Sequence, residues 1–219
     1  GCTADTEVDS IALVRQAAEQ GVHAVMVAAP RRVPAEFSVD DFFDRVVSAA
    51  GPAFVMIQDA PTWTSSALGR DLLGRLVARH PQTVVYAKPE SPLYVDATLA
   101  AASIDSLRVF SGIGGTTFLD ALACGAHGVI PFAESAGRLG EVFERWPTES
   151  ARSDFERLLP LLAFQFQSLE FAILCSKTLL GLSGRRLSPS MRMPSAPLSE
   201  MARRLLVEHA RAAGVLPAR

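Results

Sequence analysis

The run Thr83-Val84-Val85-Tyr86-Ala87-Lys88-Pro89-Glu90 decides how the rest of the chain is read. Its β-branched opening suits a pleated, buried strand, and it closes on a lysine, a proline and a carboxylate. Lysine is scarce in this protein: of 21 cationic residues, 19 are arginine and only Lys88 and Lys177 are lysine. A guanidinium keeps its charge under protein conditions. A buried lysine can lose its proton, and the neutral amine can then attack a carbonyl carbon to form a Schiff base. Two readings of Lys88 stand side by side, a nucleophile at the end of an apolar strand and a cation snorkelling from that end into solvent. Side chains alternate along a strand, so Tyr86, Lys88 and Glu90 share a face if the strand runs that far.

Outward from this run, one unit repeats. Residues 5–20 carry a helical pattern with Val8, Ile11, Ala12, Val14 and Ala18 available for one face, and Gly21 is placed to cap it. Residues 22–30 are nearly all apolar, as expected of a strand buried on both faces of a parallel sheet. Ser38 is an N-cap candidate for a helix presenting Phe42, Phe43, Val46 and Val47. A strand over 53–57 ends in Gln58-Asp59-Ala60-Pro61, and a helix over 67–79 follows, with Leu68, Leu72, Leu73, Leu76 and Val77 on one side. Beyond the 83–88 strand come a helix at 95–102, a strand at 107–111, the turn Gly112-Ile113-Gly114-Gly115, a helix at 116–124 and a further strand. Gly125-Ala126-His127-Gly128-Val129-Ile130 echoes Gly21-Val22-His23-Ala24-Val25-Met26, 104 residues earlier.

Five strands alternating with helices imply a parallel sheet with right-handed crossovers. After Trp146-Pro147 the alternation stops. Residues 148–182 read as one or two long apolar helices, 185–197 as a proline-rich loop, and Ser199 as the cap of a last helix over 200–213. The chain is thus expected to comprise a β/α part, residues 1–146, and a helical extension, residues 147–219.

Composition narrows the function classes. With 49% hydrophobic residues, 20% charged and a net charge of −2, the sequence has material for a substantial core and no basic patch for nucleic acid or an anionic membrane. No apolar run approaches the roughly 20 residues that span a bilayer, and no signal peptide opens the sequence. Cys2, Cys124 and Cys175 are odd in number and far apart, and with four scattered histidines they offer no metal-ligand spacing. A cytoplasmic protein with reduced thiols, no metal and no cofactor is expected.

Sites in α/β barrels and open α/β sheets lie at the carboxyl ends of the strands. Those ends supply Arg31 and Arg32, Gln58 and Asp59, Lys88 and Glu90, the turn from Gly112 to Gly115, and Glu134. Glu90 is either a partner of Lys88 in acid–base work or a loop carboxylate, and Tyr86 a core-layer residue or a proton relay. The glycine turn precedes a helix and could hold an anion on its N–H groups, or merely connect strand to helix. Arg32 could meet an acidic substrate or remain a solvated loop charge. His23 and His127 stand at strand starts and read as structural.

The order of these features resembles the dihydrodipicolinate synthase / N-acetylneuraminate lyase family of class I aldolases and dehydratases, over essentially the whole chain. Gly1 is similar to the end of that family's third strand, residues 24–30 to its fourth, 54–61 to its fifth and 84–90 to its sixth, which carries the Schiff-base lysine. Ser111-Gly112 with the following helix, and residues 125–130, resemble strands seven and eight. Lys177-Thr178-Leu179-Leu180-Gly181-Leu182 and Pro197-Leu198-Ser199 resemble the C-terminal helices. The resemblance implies a (β/α)8 TIM barrel, here about five C-terminal βα units with a helical extension, whose first two to three units would precede Gly1. It also implies a homo-oligomer, dimer or tetramer, and a pyruvate-like 2-oxo acid bound covalently by Lys88.

Three positions depart from the family pattern. Its fifth strand ends in Tyr-Asn-x-Pro, the tyrosine relaying protons, whereas this chain has Gln58-Asp59-Ala60-Pro61. An amide cannot act as a general acid or base near neutral pH. Trp63 stands where the synthases place a carboxylate-binding arginine, and Arg31-Arg32 where a tyrosine pair is common. Dihydrodipicolinate synthase activity itself is therefore not expected. The leading expectation is a lyase with Lys88, Glu90 and Gln58 catalytic and with Asp59, Trp63, Gly112, Gly114 and Arg32 around the substrate. The alternatives are an inactive barrel that binds a metabolite or partner, and a phosphate-using barrel enzyme resting on the glycine turn.

Overall fold

A computed structural model describes residues 1–64, 67–188, 190–191 and 195–217. Its strands are β1 (Ala24–Ala28), β2 (Phe54–Asp59), β3 (Val84–Pro89), β4 (Arg108–Ser111) and β5 (Gly128–Val129), in the sheet order β1-β2-β3-β4-β5. The pairings of β1 with β2, β2 with β3 and β3 with β4 are all parallel. The interleaved helices are α1 (Glu7–Glu19), α2 (Val39–Ala50), α3 (Gly69–Arg79), α4 (Tyr94–Ala102) and α5 (Phe118–Ala123). A helical tail follows, with α6 (Ala136–Arg145), α7 (Glu149–Gln165), α8 (Leu169–Leu182) and α9 (Glu200–Ala212). Sequential neighbours in a parallel sheet with helical crossovers are what alternating buried strands and amphipathic helices require. Gly21 takes φ 72° behind α1, and Ser38 and Ser199 cap α2 and α9 as expected.

The chain divides into two compact units, residues 1–111 with 120–128, and residues 112–119 with 129–219. In the first, Val25, Val27, Val55, Ile57, Val84, Ala87 and Val109 point from one face of the sheet into a core closed by Phe42, Phe43 and Val46 of α2 and Leu72, Leu73 and Leu76 of α3. Phe42, Phe43 and Val46 are wholly buried, and truncating one such phenylalanine to alanine costs about 3–5 kcal/mol. The other face carries Phe54, Met56 and Gln58 on β2. It also carries an aromatic row in which Phe54 meets His23 at 5.1 Å and Tyr86 at 6.0 Å, and Tyr86 meets Phe110 at 5.9 Å. At the amino end, Cys2 N–H donates to the Met26 carbonyl at 2.8 Å and Ala28 N–H to the Thr3 hydroxyl at 2.9 Å, so residues 2–3 run beside β1.

The β2–β3 register changes mid-strand. Val55 pairs with Val84, but Met56 pairs with Tyr86, leaving Val85 as an extra residue. Strict alternation from Val84, which faces the helices, would send Lys88 to the helix side too. The bulge at Val85 resets the count: Val84 and Ala87 both serve the core, while Tyr86 and Lys88 lie beside Met56 and Gln58 on the opposite face. Strand β2 also runs two residues beyond the expected 53–57, because Gln58 and Asp59 pair with Lys88 and Pro89.

This extension turns Asp59 toward the helices. Its carboxylate accepts the Leu68 N–H at 3.1 Å and takes a further hydrogen bond from Gly69 N–H at the start of α3, where no side chain of α3's own segment caps the helix. Burial raises the Asp59 pKa and those two N–H groups only partly offset it. Asp59, expected beside the substrate, is thus a capping group on the other side of the sheet from Lys88.

In the second unit, the glycine turn is shaped by packing. Gly114 has φ 63°, and a Cβ there would lie 2.8 Å from the Phe132 ring and 3.1 Å from the Phe166 ring; one at Gly115 would lie 2.9 Å from Leu139. The tail is interrupted at 166–168, and Ser168 accepts the Phe171 N–H at 3.1 Å to restart the helix as α8.

Two outcomes follow for stability. Replacing Asp59 with Ala removes the cap and costs about 0.5–2 kcal/mol, whereas Asp59→Asn keeps an acceptor and removes the buried charge. Because the folded pKa lies above the unfolded one, the wild type is favoured at low pH and loses that advantage as pH rises from the ordinary aspartate value through the folded one. Urea titrations should therefore show Asp59→Asn gaining on the wild type across that rise. Gly114→Ala should lower stability by roughly 1–3 kcal/mol through positive φ and overpacking, readable as a fall in thermal midpoint.

Candidate active site

Past the bulge, β3 delivers Lys88 to the inner face of the first unit, level with Gln58 on β2 and Ala28 on β1. Pro89 next to it lacks an N–H, and it lies beyond the β3–β4 pairs Tyr86–Arg108 and Ala87–Val109. The Glu90 N–H then donates to the Asp59 carbonyl at 2.7 Å, extending the contact with β2 by one residue and returning Glu90 to the lysine's side. Lys88 and Glu90 are both buried, at 7% and 6% exposure.

The three polar side chains converge. Lys88 Nζ lies 3.0 Å from Glu90 Oε1, and Gln58 Nε2 donates to Glu90 Oε2. Each carboxylate oxygen thereby has its own donor, one charged and one neutral. Among the described residues this is the ion pair most withdrawn from solvent, with side-chain exposures of 9% and 3%. Such a pair is held by geometry, since desolvation offsets much of its Coulomb attraction, and removing one partner strands a buried charge at about 3–5 kcal/mol. Chemically, it can pass a proton between amine and carboxylate across one hydrogen bond, beside an aromatic layer in which Tyr86 is packed between Phe54 and Phe110.

The other expected residues have surroundings of their own. Arg32 is highly exposed and pairs with Asp5 at 3.7 Å, its N–H donating to the Asp5 carbonyl, so it is a solvated loop charge. Trp63 follows β2 in a turn closed by its own N–H on the Ala60 carbonyl at 2.9 Å. Gly112 and Gly114 belong to the second unit, where the turn is packed as described above. His127 Nδ1 accepts the Val109 N–H at 3.2 Å and His23 packs on Phe54, both at strand starts.

One polar cluster went unanticipated. Within the second unit Glu134 accepts hydrogen bonds from Gln165 Nε2 at 2.5 Å and from the Ser176 hydroxyl. It also lines a cavity of about 550 Å³ with Leu179, Leu180, Arg185, Leu187 and Val215. Burial, aided by the Glu134 charge, pushes the neighbouring Cys175 thiol up to about 12, which leaves it unreactive. Glu134 was legible as a strand-end carboxylate; its partners, 31 and 42 residues away, were not. Among the described residues no His, Cys, Asp and Glu side chains gather in threes that could hold a metal, and no helix is long and apolar enough to cross a membrane.

Known proteins resemble the chain in sequence and in fold. The chain is 28% identical over 206 residues to 4-hydroxy-tetrahydrodipicolinate synthase of Bacillus subtilis, covering 91% of this chain and 69% of that protein. It is 32% identical over 139 residues to an uncharacterized DapA-like lyase of Chloroflexus aurantiacus, covering 62% and 46% of the two. The fold matches YagE, a prophage protein of the dihydrodipicolinic acid synthase family from E. coli K12 solved in complex with pyruvate, with TM-score 0.85, 18% identity, and coverage of 99% of this chain and 74% of that one. The model of the dihydrodipicolinate synthetase family matches residues 1–213. With a parallel α/β sheet, a buried lysine at a strand's carboxyl end and a match over nearly its whole length, the chain belongs to the dihydrodipicolinate synthetase family.

Proposed function

We propose that this chain is a class I lyase that binds a pyruvate-like 2-oxo acid as a Schiff base on Lys88. The observation that carries the reading is the position of that amine: 7% exposed, at the carboxyl end of a parallel strand, on the sheet face away from the helix core. A lysine used only for surface charge would gain nothing from that burial, which carries a desolvation cost. Nucleophilic attack on the C2 carbonyl, then loss of water, turns the substrate into an iminium. The iminium is an electron sink that permits aldol cleavage or dehydration at the adjoining carbons. Family membership supports the reaction class, and the pyruvate complex of the E. coli relative supports the ligand class.

A second reading, a barrel that binds a metabolite without turning it over, is favoured by one observation. Gln58 occupies the place where the family resemblance implies a proton-relaying tyrosine, and an amide does not ionise near neutral pH. The two readings part on covalency.

Borohydride added with pyruvate, or with members of a panel of longer 2-oxo acids, should fix a stable adduct on the wild-type protein, located at Lys88 by peptide mass mapping. Lys88→Arg keeps a cation against Glu90 but cannot form an imine, so it should remain folded by circular dichroism and take up no adduct. Ligand-induced thermal stabilisation without any adduct across the panel would instead establish the binding-only reading.

A further inference from the structure

The geometry points to Glu90 as the catalytic acid–base that serves Lys88, with Gln58 as the residue that positions it. This rests on the Schiff-base reading above and supplies its missing proton carrier.

Imine formation requires four proton movements around one nitrogen and one oxygen: the nitrogen must give up two protons, one as the ammonium and one as the carbinolamine, and the oxygen must gain two, one on addition and one on departure. A group able to serve all four must sit within hydrogen-bond reach of the amine and be able to ionise. Glu90 Oε1 is 3.0 Å from Lys88 Nζ, and the carboxylate is almost fully withdrawn from solvent. Tyr86 lies one layer down, packed between Phe54 and Phe110. Asp59 is turned to the helix side, bound to Leu68 N–H, and Arg32 is at the surface with Asp5. Among these candidates Glu90 alone touches the reacting nitrogen.

The steps balance on that one carboxylate. Glu90 takes a proton from the Lys88 ammonium, and the amine lone pair attacks C2. The C–N bond forms, and the carbonyl π pair moves to oxygen, which receives the proton from Glu90. The carboxylate then takes a second proton from the nitrogen of the carbinolamine and gives it to the hydroxyl. The C–O bond breaks, water leaves and the nitrogen lone pair forms the iminium. Ammonium plus ketone has become iminium plus water, and Glu90 ends as the carboxylate it began as.

Gln58 acts through Glu90. Its Nε2–H on Oε2 occupies the second oxygen, so the carboxylate cannot rotate away from the amine. Loss of a hydrogen-bond donor disfavours the charged form of a carboxylate, which is how a change at Gln58 would reach the acid–base group. The register pairing of Gln58 with Lys88 sets this reach from the neighbouring strand.

The test is the rate of adduct formation, by timed borohydride quench with pyruvate or whichever 2-oxo acid labels the wild type. Glu90→Gln should slow trapping by roughly 10²–10⁴-fold while leaving the final adduct on Lys88, and should flatten the acid limb of the pH–rate profile. Gln58→Met keeps volume and removes the donor; it should slow trapping more mildly and move the acid limb to higher pH. If Glu90→Gln traps at the wild-type rate with an unchanged profile, the assignment is overturned while the Schiff-base reading stands. If Glu90→Gln does not fold, an unmoved acid limb in Gln58→Met overturns it instead. A wild type that takes up no 2-oxo acid at all fails at the earlier step and removes both.

Discussion

The parallel pairing of β2 with β3 past Gln58 is the constraint on which the site depends. It is a backbone arrangement before it is a chemical one. Gln58 and Lys88 are level because their strands are in register, and Glu90 stands over both because its N–H reaches the Asp59 carbonyl at 2.7 Å. Pro89, which has no N–H to give, fits between them two residues past the Ala87–Val109 pair of β3 and β4. Two main-chain decisions, where the ladder shifts and where it stops, thus hold an amine and a carboxylate 3.0 Å apart with little water around them.

Much of this was legible in the sequence, and the parts that were not have physical reasons. Lys88 was conspicuous because arginine does nearly all the cationic work elsewhere, and the shared face of Tyr86, Lys88 and Glu90 followed from strand alternation. The alternation of strands and helices and the caps at Ser38 and Ser199 were readable from local patterns. The orientation of Asp59 was not. An apolar run stops announcing a strand once its residues become polar, so Gln58 and Asp59 read as a loop, where facing is undefined. The turn from Gly112 to Gly115 suggested an anion because exposed N–H groups are a local property. Its packing against Phe132, Phe166 and Leu139 depends on residues up to about 50 positions downstream, beyond any local pattern.

In the proposed reaction, Gln58 shows how a substitution would relocate a role. A phenol is an acid and base in its own right; an amide only donates and accepts hydrogen bonds. A site built around an amide must find its ionisable group elsewhere, and here the nearest one is two residues along the lysine's own strand. The amide is then useful for what it cannot do: it stays neutral and offers a steady donor whatever the protonation of its neighbour.

The bulge at Val85 separates two requirements that a straight strand would tie together. Ahead of it, β3 is counted from the hydrophobic core; behind it, from the amine. The two counts differ by one residue, so side-chain chemistry and strand length are independent variables in this protein. Every residue type in the site could be retained, and a β3 in which Val85 took its place in the ladder would still turn Lys88 toward the helices, whereas deleting Val85 would leave the lysine on its present face. The skipping of Val85 in the ladder is therefore as much a part of the site's specification as the identity of the lysine.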